Sequence, residues 1–268
     1  MLLEHPIFKI SLGIASAAAT FGLLAGCEKL RETRAEKLKE SAYQHAANGD
    51  LDRALEISEI ALRLDREDPV LRHFRGRVFW IRKQPEKAID EYEAAYDLIG
   101  DALAPDEDSS FPGANPGTHI QIRLDYGNAL EVLDRSAESR DVLEKALRLH
   151  PDDPQVLNGF AWLLATHPDD SLRDGKRAVE LATKACELTD WERASIIDTL
   201  AAAHAEAGAF EEAVKWQSDA NAQLKDDPDI ADFEARLALY RERKPYRELP
   251  RDYYEKEMVE RPSGPNED

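Results

Sequence analysis

The sequence is short of cysteine and of basic charge, and each shortage excludes a class of protein. Its two cysteines, Cys27 and Cys186, are too few for a disulfide-stapled scaffold. Its 35 basic and 54 acidic residues leave a formal net charge of −19. Binding to nucleic acid requires a basic face, so we expect no nucleic-acid partner. Runs of β-branched residues are also missing, whereas alanine is abundant, and this composition favours helix over sheet.

Motifs for catalysis and metal binding are missing as well. None of the seven histidines has a second histidine four residues away, and the chain has no CxxC or HExxH sequence. GxSxG and SxxK motifs and a phosphate-binding glycine loop are also lacking. His204 and Glu206 place a base near an acid, but both fall on a repeat helix. We therefore predict a protein that is not an enzyme and has no cofactor, metal or small-molecule substrate. A site assembled from distant residues is the alternative.

One long uncharged run extends from Ile10 to Gly26, and its 17 residues fall short of the ~20 that span a bilayer comfortably. Small residues dominate its end, which predicts a cleaved signal peptide over residues 1–26. The last four residues, Leu24-Ala25-Gly26-Cys27, resemble the lipobox of bacterial lipoproteins. That resemblance implies lipid on the Cys27 sulfur, cleavage before Cys27, and anchoring to a membrane through acyl chains such as palmitate. An uncleaved helical anchor and an ordinary cytosolic start are the alternatives.

Residues 27–37 are predicted to be the lipidated cysteine and a charged helical tether. Glu28 stands where an aspartate signals retention at the inner membrane in some lipoproteins, which slightly favours the outer membrane. The predicted location is therefore the bacterial cell envelope, lipid-anchored and facing the periplasm. If Cys27 carries lipid, Cys186 has no disulfide partner in the chain, and we expect it to be a small buried side chain.

Small residues recur along the chain at fixed offsets. The first series has intervals of 34, 51, 39 and 35 residues. A second series follows it by seven residues, and a third precedes it by 12, or by 17 in the fourth repeat. The period is thus 34, with 17 residues inserted after the second repeat and five inside the fourth. The series are Ala54, Ala88, Ser139, Ala178 and Ala213; Ala61, Ala95, Ala146, Ala185 and Ala220; and Ala42, Gly76, Gly127, Ala161 and Ala201.

This pattern resembles the tetratricopeptide repeat (TPR), whose period is 34 and whose small residues fall at positions 8, 20 and 27. The resemblance covers about residues 35–225. It implies an all-α fold, an α-solenoid of about five helix-turn-helix repeats in which small side chains let helices A and B approach closely. Apolar residues at near-helical spacing within 229–249 predict a C-terminal capping helix.

The domain boundaries follow from the same register. We predict a TPR solenoid over residues 38–249 and a disordered tail over residues 250–268. The insertion at residues 103–119 is rich in proline, glycine and serine, so it is predicted to be a loop. In the fourth repeat, the turn between helices A and B is lengthened from Pro168 to Gly175, which resembles a repeat subtype common in large bacterial TPR proteins.

In TPR proteins, positions 2, 5, 9, 12 and 13 of helix A line the concave face. The resemblance therefore implies partner contacts on this face, with Trp80 and Trp162 as the main anchors. Packing of both tryptophans between adjacent helices is an equal alternative. A clamp for a C-terminal carboxylate is not predicted, because Tyr43 and Arg77 stand at position 9 of the first two repeats. The candidate contacts are Lys39, Tyr43, His73, Arg77, Trp80, Ile81, Asn128, Asn158, Trp162 and Asp198.

The sequence thus predicts a membrane-anchored TPR lipoprotein that acts as a protein–protein interaction scaffold in the bacterial cell envelope. Its partner is expected to be a protein or peptide, which the sequence does not identify. The alternative is a structural subunit of an envelope assembly machine, of the outer-membrane barrel assembly or pilus biogenesis type. An uncharacterised enzyme is the distant third interpretation, and fold alone does not decide among the three.

Overall fold

The chain is helical throughout the part that the structure, a computed structural model, describes: residues 28–101, 116–224 and 230–248. These residues form no β-strand, so the predicted all-α class is confirmed. Helices A and B of five repeats alternate along the chain, and α11 follows them. The helices are α1 (28–47), α2 (Leu51–Leu64), α3 (Pro69–Ile81), α4 (Pro85–Ile99), α5 (Pro116–Val132), α6 (Ser136–Leu149), α7 (Pro154–Thr166), α8 (Gly175–Leu188), α9 (Ala194–Glu206), α10 (Phe210–Gln223) and α11 (Ile230–Arg241).

The described residues divide into two compact units. The first contains residues 28–98, and the second contains residues 99–101, 116–224 and 230–248. In the first unit, Ala61, Leu62 and Leu71 form a buried apolar cluster between α2 and α3. The second unit has a larger core, in which α7 buries most of its apolar side chains against α5, α6, α8, α9 and α11. None of the described helices combines the length and apolar character needed to cross a membrane.

The small residues of the three series explain why paired helices can pack so closely. All fifteen are buried in the structure. A Cβ added at Gly76 would overlap the ring of Tyr92, and one added at Gly127 would lie 3.2 Å from Leu143 Cδ2. A larger side chain at Gly76 would therefore have to displace the Tyr92 ring, and one at Gly127 would have to shift the Leu143 side chain. Cys186 is buried too, and burial raises the pKa of its thiol to about 12.

Most helix A segments end in the same closed turn. Gly49 and Gly208 have φ angles of 82° and 80°, in the left-handed region that glycine adopts readily. Lys83 and Asp134 adopt the same left-handed conformation, each with φ of 56°, at ends where the sequence offers no glycine. At the end of α3, Lys83 N–H donates to Trp80 O at 2.9 Å and Gln84 N–H donates to Phe79 O at 3.0 Å. The backbone N–H groups of the turn thereby provide hydrogen-bond donors for carbonyls in the last turn of α3.

The end of α7 is built differently, because the predicted lengthening of this turn is confirmed. The helix stops at Thr166, and α8 begins only at Gly175. His167 N–H donates to Leu163 O at 3.2 Å, and Asp174 N–H donates to Leu164 O at 3.0 Å. The next two carbonyls, of Ala165 and Thr166, are not closed by a left-handed turn of this kind and accept hydrogen bonds from elsewhere in the second unit.

Two predicted boundaries are wrong. The insertion does not extend to His119, because α5 begins at Pro116; proline suits the first turn of a helix, where no N–H partner is needed. The capping helix does not extend to residue 249, because α11 ends at Arg241. Arg243 then takes a left-handed conformation with φ of 58°, and Pro245 cannot continue a helix.

Several predictions concern residues at the edge of the described range or outside it. Helix α1 already runs from residue 28 to 47, so the predicted tether and the first repeat share one continuous helix. The signal peptide at 1–26, the lipidated Cys27, most of the insertion and the tail at 250–268 lie outside the described residues.

Candidate protein-binding surfaces

In the first unit, one face of α3 presents three predicted contact residues to solvent. Arg77 is exposed, Trp80 is 38% exposed and Ile81 is 63% exposed. They are positions 9, 12 and 13 of the second repeat, and their i, i+3, i+4 spacing places them side by side. We call these three residues the α3 patch. Tryptophan and arginine are frequent anchors of protein interfaces, so the patch has the composition of a binding surface.

Lys39 does not belong to this open surface. Its ammonium group is buried and lies 2.7 Å from Glu36 Oε1 and 3.0 Å from Asp68 Oδ2. Burial lowers the pKa of Lys39, but the hydrogen bonds and charges of the two carboxylates outweigh it and raise the pKa. Since Asp68 also caps α3 by accepting from Leu71 N–H at 2.9 Å, Lys39 ties α1 to the start of α3. Its predicted exposure on the helix A face is therefore wrong.

The other two predicted contacts of the first unit also take part in packing. His73 is buried, with its ring 5.7 Å from that of Tyr92. Tyr43 is half-buried and meets Phe74 edge-on at 4.6 Å. Their predicted positions on an open face are wrong for His73 and hold only in part for Tyr43, because rings of the next helices cover them.

In the second unit the predicted contacts are divided between surface and interior. Asn128 is exposed, and Asn158 is half-buried, with an amide oxygen that has no hydrogen-bond partner among the described residues. Asp198 is buried. Trp162 is half-buried and packs against the main core cluster, so the packing alternative describes it better than the exposed one.

Trp162 is covered by residues 244–248, which follow α11 and which we call the strap. The indole N–H of Trp162 donates to Glu248 Oε1 at 2.7 Å, and the Tyr246 ring lies 5.8 Å from the indole. Arg247 donates to Ala165 O at 3.3 Å and also pairs with Glu206 of α9. The backbone N–H of Glu248 donates to Thr166 O at 2.9 Å. The strap thus occupies the end of α7.

A buried polar cluster supports the strap from below. Arg236 of α11 donates to Asp198 Oδ1 at 2.7 Å, and Gln217 donates to the same oxygen at 2.6 Å. Burial raises the pKa of Asp198, although Arg236 and Gln217 oppose the shift. The guanidinium of Arg236 lies 5.6 Å from the ring centre of Trp162 and 5.5 Å from that of Tyr246. Asp198 therefore holds the Arg236 guanidinium in place beside the rings of Trp162 and Tyr246.

The strap contacts the same repeat positions that are open in α3. Counted from the small residue at position 8, Trp162, Ala165 and Thr166 are positions 9, 12 and 13 of the fourth repeat. The α3 patch holds those positions in the second repeat. One face of helix A is therefore exposed in one repeat and occupied by a non-helical segment in another.

A serine and a histidine lie close together at the lengthened turn. His167 Nε2 is 2.8 Å from Ser136 Oγ and 3.1 Å from Glu131 Oε2. When the ring is neutral with its proton on Nε2, Asp169 N–H donates to His167 Nδ1 at 2.9 Å; when the ring is protonated, Nδ1 can donate to Asp169 O at 3.3 Å. In both forms Nε2 cannot accept the serine proton, and Ser136 donates to Glu131 Oε2 at 3.0 Å instead. The cluster fixes the turn against α6. It does not activate a nucleophile in either form.

No group of three or more histidine, cysteine, aspartate or glutamate side chains is arranged to hold a metal ion within residues 28–101, 116–224 and 230–248. The buried charges that support the strap, Asp198 and Arg236, form an ion pair with each other. The arrangement is suited to recognising backbone and side-chain groups of a polypeptide.

Comparison with known proteins gives the family. A family model described as tetratricopeptide repeat matches residues 120–163, which contain α6 and most of α5 and α7. Residues 120–163 are therefore assigned to the tetratricopeptide repeat, and the chain has the fold of TPR proteins. This TPR assignment confirms the resemblance drawn from the small-residue register. No curated protein sequence matches the chain.

Solved structures of TPR proteins share the fold. YrrB, whose structure is described as a TPR protein with an unusual peptide-binding site, is 18% identical; the match covers 74% of this chain and 90% of that one, with a TM-score of 0.52. A thermophilic TPR protein of Thermus thermophilus is 19% identical, with coverage of 77% and 98% and a TM-score of 0.51. PilF of Pseudomonas aeruginosa is 16% identical, with coverage of 80% and 86% and a TM-score of 0.57. At these identities the likeness shows the fold alone.

Sequence reasoning missed the strap and the residues that receive it. Tyr246, Arg247 and Glu248 are far along the chain from Trp162, and no periodicity joins them to α7. A local signal was present: Pro245 ends the possibility of helix within the predicted cap, and an aromatic, a basic and an acidic residue follow it.

Proposed function

We propose that this TPR protein is a scaffold that binds an extended segment of another protein along the helix A face, beginning at the α3 patch. One observation carries the proposal: the positions that are open in α3 hold a non-helical segment of polypeptide in α7. The helix A face of this chain is therefore able to receive such a segment. The peptide-binding site reported for YrrB is in keeping with this mode of binding.

The partner contacts assigned to the α3 patch are Arg77, Trp80 and Ile81. The indole of Trp80 would bury apolar area, while Arg77 would pair with a carboxylate or a carbonyl of the partner. We propose that the chain acts by binding, because the α3 patch combines exposed aromatic, basic and aliphatic side chains of the kind found in protein interfaces.

The test is chemical crosslinking in cells followed by recovery of the tagged chain and identification of the proteins linked to it. We expect Trp80→Ala to reduce recovery of a specific partner at least fivefold while helical content stays unchanged. Asp90→Ala, at an exposed position of α4, is the matched control and should leave recovery intact. Equal recovery with all three chains would contradict the proposal.

We also propose that the scaffold is held at a bacterial envelope membrane by lipid on Cys27, after removal of residues 1–26. The uncharged run that ends in Leu24-Ala25-Gly26-Cys27 supports this. Two or three acyl chains are needed for stable anchoring, since one chain binds only marginally. Radioactive palmitate should label the unaltered chain, and Cys27→Ala should abolish the label. Labelling that persists in Cys27→Ala would exclude the lipid anchor, and an intact N-terminus on the membrane-bound chain would favour an uncleaved helix.

A further inference from the structure

The end of α7 offers a set of groups that would recognise an extended peptide. It includes two backbone carbonyls, of Ala165 and Thr166, an indole N–H donor on Trp162, and the carboxylate of Glu206. Carbonyls at a helix C-terminus have no partner within the helix and accept from other donors. In α3 the carbonyl that corresponds to Ala165 O is Trp80 O, and the closed turn engages it through Lys83 N–H; the lengthened turn of the fourth repeat leaves Ala165 O to accept from Arg247 instead.

The contacts of the strap show how a segment of polypeptide can bind to these groups. Tyr246 faces Trp162, and Glu248 N–H reaches Thr166 O four residues further along α7. Four residues of helix advance by about 6 Å. Two residues of extended chain advance by about 6.6 Å. These lengths agree, so the backbone of the strap can follow one turn of α7 from Trp162 to Thr166, while the Glu248 side chain reaches back to the Trp162 indole.

Three strap residues make specific contacts, and two of them, Tyr246 and Glu248, share Trp162. The Tyr246 ring lies against Trp162 and the Arg236 guanidinium. Arg247 pairs with Glu206, which also accepts from Arg173 Nε at 3.0 Å and is thereby held in place. Glu248 provides one backbone donor and one carboxylate acceptor. An aromatic, a basic and an acidic residue in succession are therefore each held by side-chain contacts.

We propose that this surface is a peptide-binding site which the strap occupies in cis, and that its partner carries an extended aromatic–arginine–acidic segment that displaces the strap. The inference rests on the proposed scaffold function and adds a second, self-blocked site to the open α3 patch. The strap is joined to α11 by residues 242 and 243, so its effective concentration is on the order of millimolar. A free peptide making the same contacts competes poorly until the strap is weakened.

The experiment uses the full chain and a synthetic peptide of residues 242–248, acetylated and amidated at its ends. The receptor is the double variant Tyr246→Ala/Arg247→Ala, whose strap lacks two of its three anchors. The indole N–H signal of Trp162, assigned through Trp162→Phe, reports the site by NMR of chains labelled at tryptophan nitrogen. We expect this signal to shift in the double variant and to return towards its original position when the peptide is added.

Affinity gives the second readout. The peptide should bind the double variant at least tenfold more tightly than the unaltered chain, and Glu206→Gln in the double variant should reduce that affinity at least fivefold. Lys244→Ala is the matched control, because the Lys244 side chain pairs with exposed Glu242 at 2.8 Å; its affinity should equal that of the unaltered chain. A peptide with alanine in place of tyrosine and arginine should not bind.

Three outcomes would overturn the inference. An indole signal that is the same in the unaltered chain and the double variant would mean that the strap does not cover Trp162. A shifted signal without peptide binding at millimolar concentration would make the strap a fixed cap. Doubling of the mass of the unaltered chain, with straps exchanged between copies, would make a second copy the occupant. Since the crosslinking test of the proposed function depends on Trp80 in the first unit, either test can fail without the other.

Discussion

Helices α3 and α7 occupy the same place in their repeats, yet one presents its face to solvent and the other is covered. Trp80 and Ile81 are exposed at positions 12 and 13 of α3, whereas Ala165 and Thr166 at those positions of α7 are buried beneath the strap. The difference begins at the helix ends. The turn after α3 engages Trp80 O through Lys83 N–H, while the longer turn after α7 leaves the corresponding Ala165 O to accept from Arg247 of the strap. The length of the turn between helices A and B thus affects which backbone carbonyls of helix A can bind another segment.

The largest effect on stability is expected from removing the buried carboxylate that pairs with Arg236 beneath the strap. Asp198→Ala leaves Arg236 buried without its carboxylate, and breaking a buried ion pair in this way costs about 3–5 kcal/mol. We expect the free energy of unfolding of the second unit, measured by urea titration, to fall by that amount. Asp141→Ala, at an exposed position of α6, should change it by less than about 0.5 kcal/mol. A small loss with Asp198→Ala would show that the cluster does not support the strap.

The two tryptophans provide the direct comparison. Trp162→Ala removes a packed indole and the donor to Glu248, and should lower the free energy of unfolding by about 2–4 kcal/mol. Trp80→Ala removes a side chain of the exposed α3 patch and should cost less than about 1 kcal/mol. Urea unfolding followed by circular dichroism measures both. Equal losses of unfolding free energy would mean that Trp80 and Trp162 are packed to the same extent.

The lengthened turn should also make stability depend on pH. Burial lowers the pKa of His167, but its contacts with Glu131 outweigh burial and raise the pKa above the ordinary value of about 6.5. A raised pKa means that the contribution of His167 is present at low pH and is lost as pH rises through the folded-state pKa. The stability difference between the unaltered chain and His167→Gln should therefore be larger at about pH 6 than at about pH 8. The opposite order in urea unfolding would contradict the direction of this shift.

The smallest effect is expected at the end of α3. Lys83→Gly removes the strain of a side chain in the left-handed region, and should raise the free energy of unfolding by about 0.5–1 kcal/mol despite the added freedom of the unfolded chain. Lys87→Gly, inside α4, is the control and should lower it by about 1 kcal/mol. Loss of stability with Lys83→Gly would mean that the closed turn does not depend on this conformation.

Most of the fold could be predicted from the register of the small residues. The fifteen positions place ten helices, because only small side chains permit the close approach seen at Gly76 and Gly127. Glycine marks the left-handed turn at Gly49 and at Gly208. No residue type marks it at Lys83 and Asp134, where hydrogen bonds across the turn stabilise a conformation that these residues do not favour by themselves.

The candidate site was predictable only in part. Repeat positions correctly placed Arg77, Trp80 and Ile81 on one face, since that follows from helical spacing. They could not separate Lys39 from that face, because its burial depends on Asp68 at the start of another helix. Nor could they reveal that Trp162 is covered, because the covering residues are 82 or more positions away and meet α7 through backbone groups that no sequence pattern distinguishes.

The most direct test replaces each tryptophan in turn with the photo-crosslinking residue p-benzoylphenylalanine and irradiates living cells. The account predicts that position 80 links this chain to another protein, whereas position 162 links to residues 244–248 of the same chain. Weakening the strap with Tyr246→Ala/Arg247→Ala should convert the internal link at position 162 into a link to a partner. A partner linked at position 162 of the otherwise unaltered chain, with none at position 80, would contradict the account.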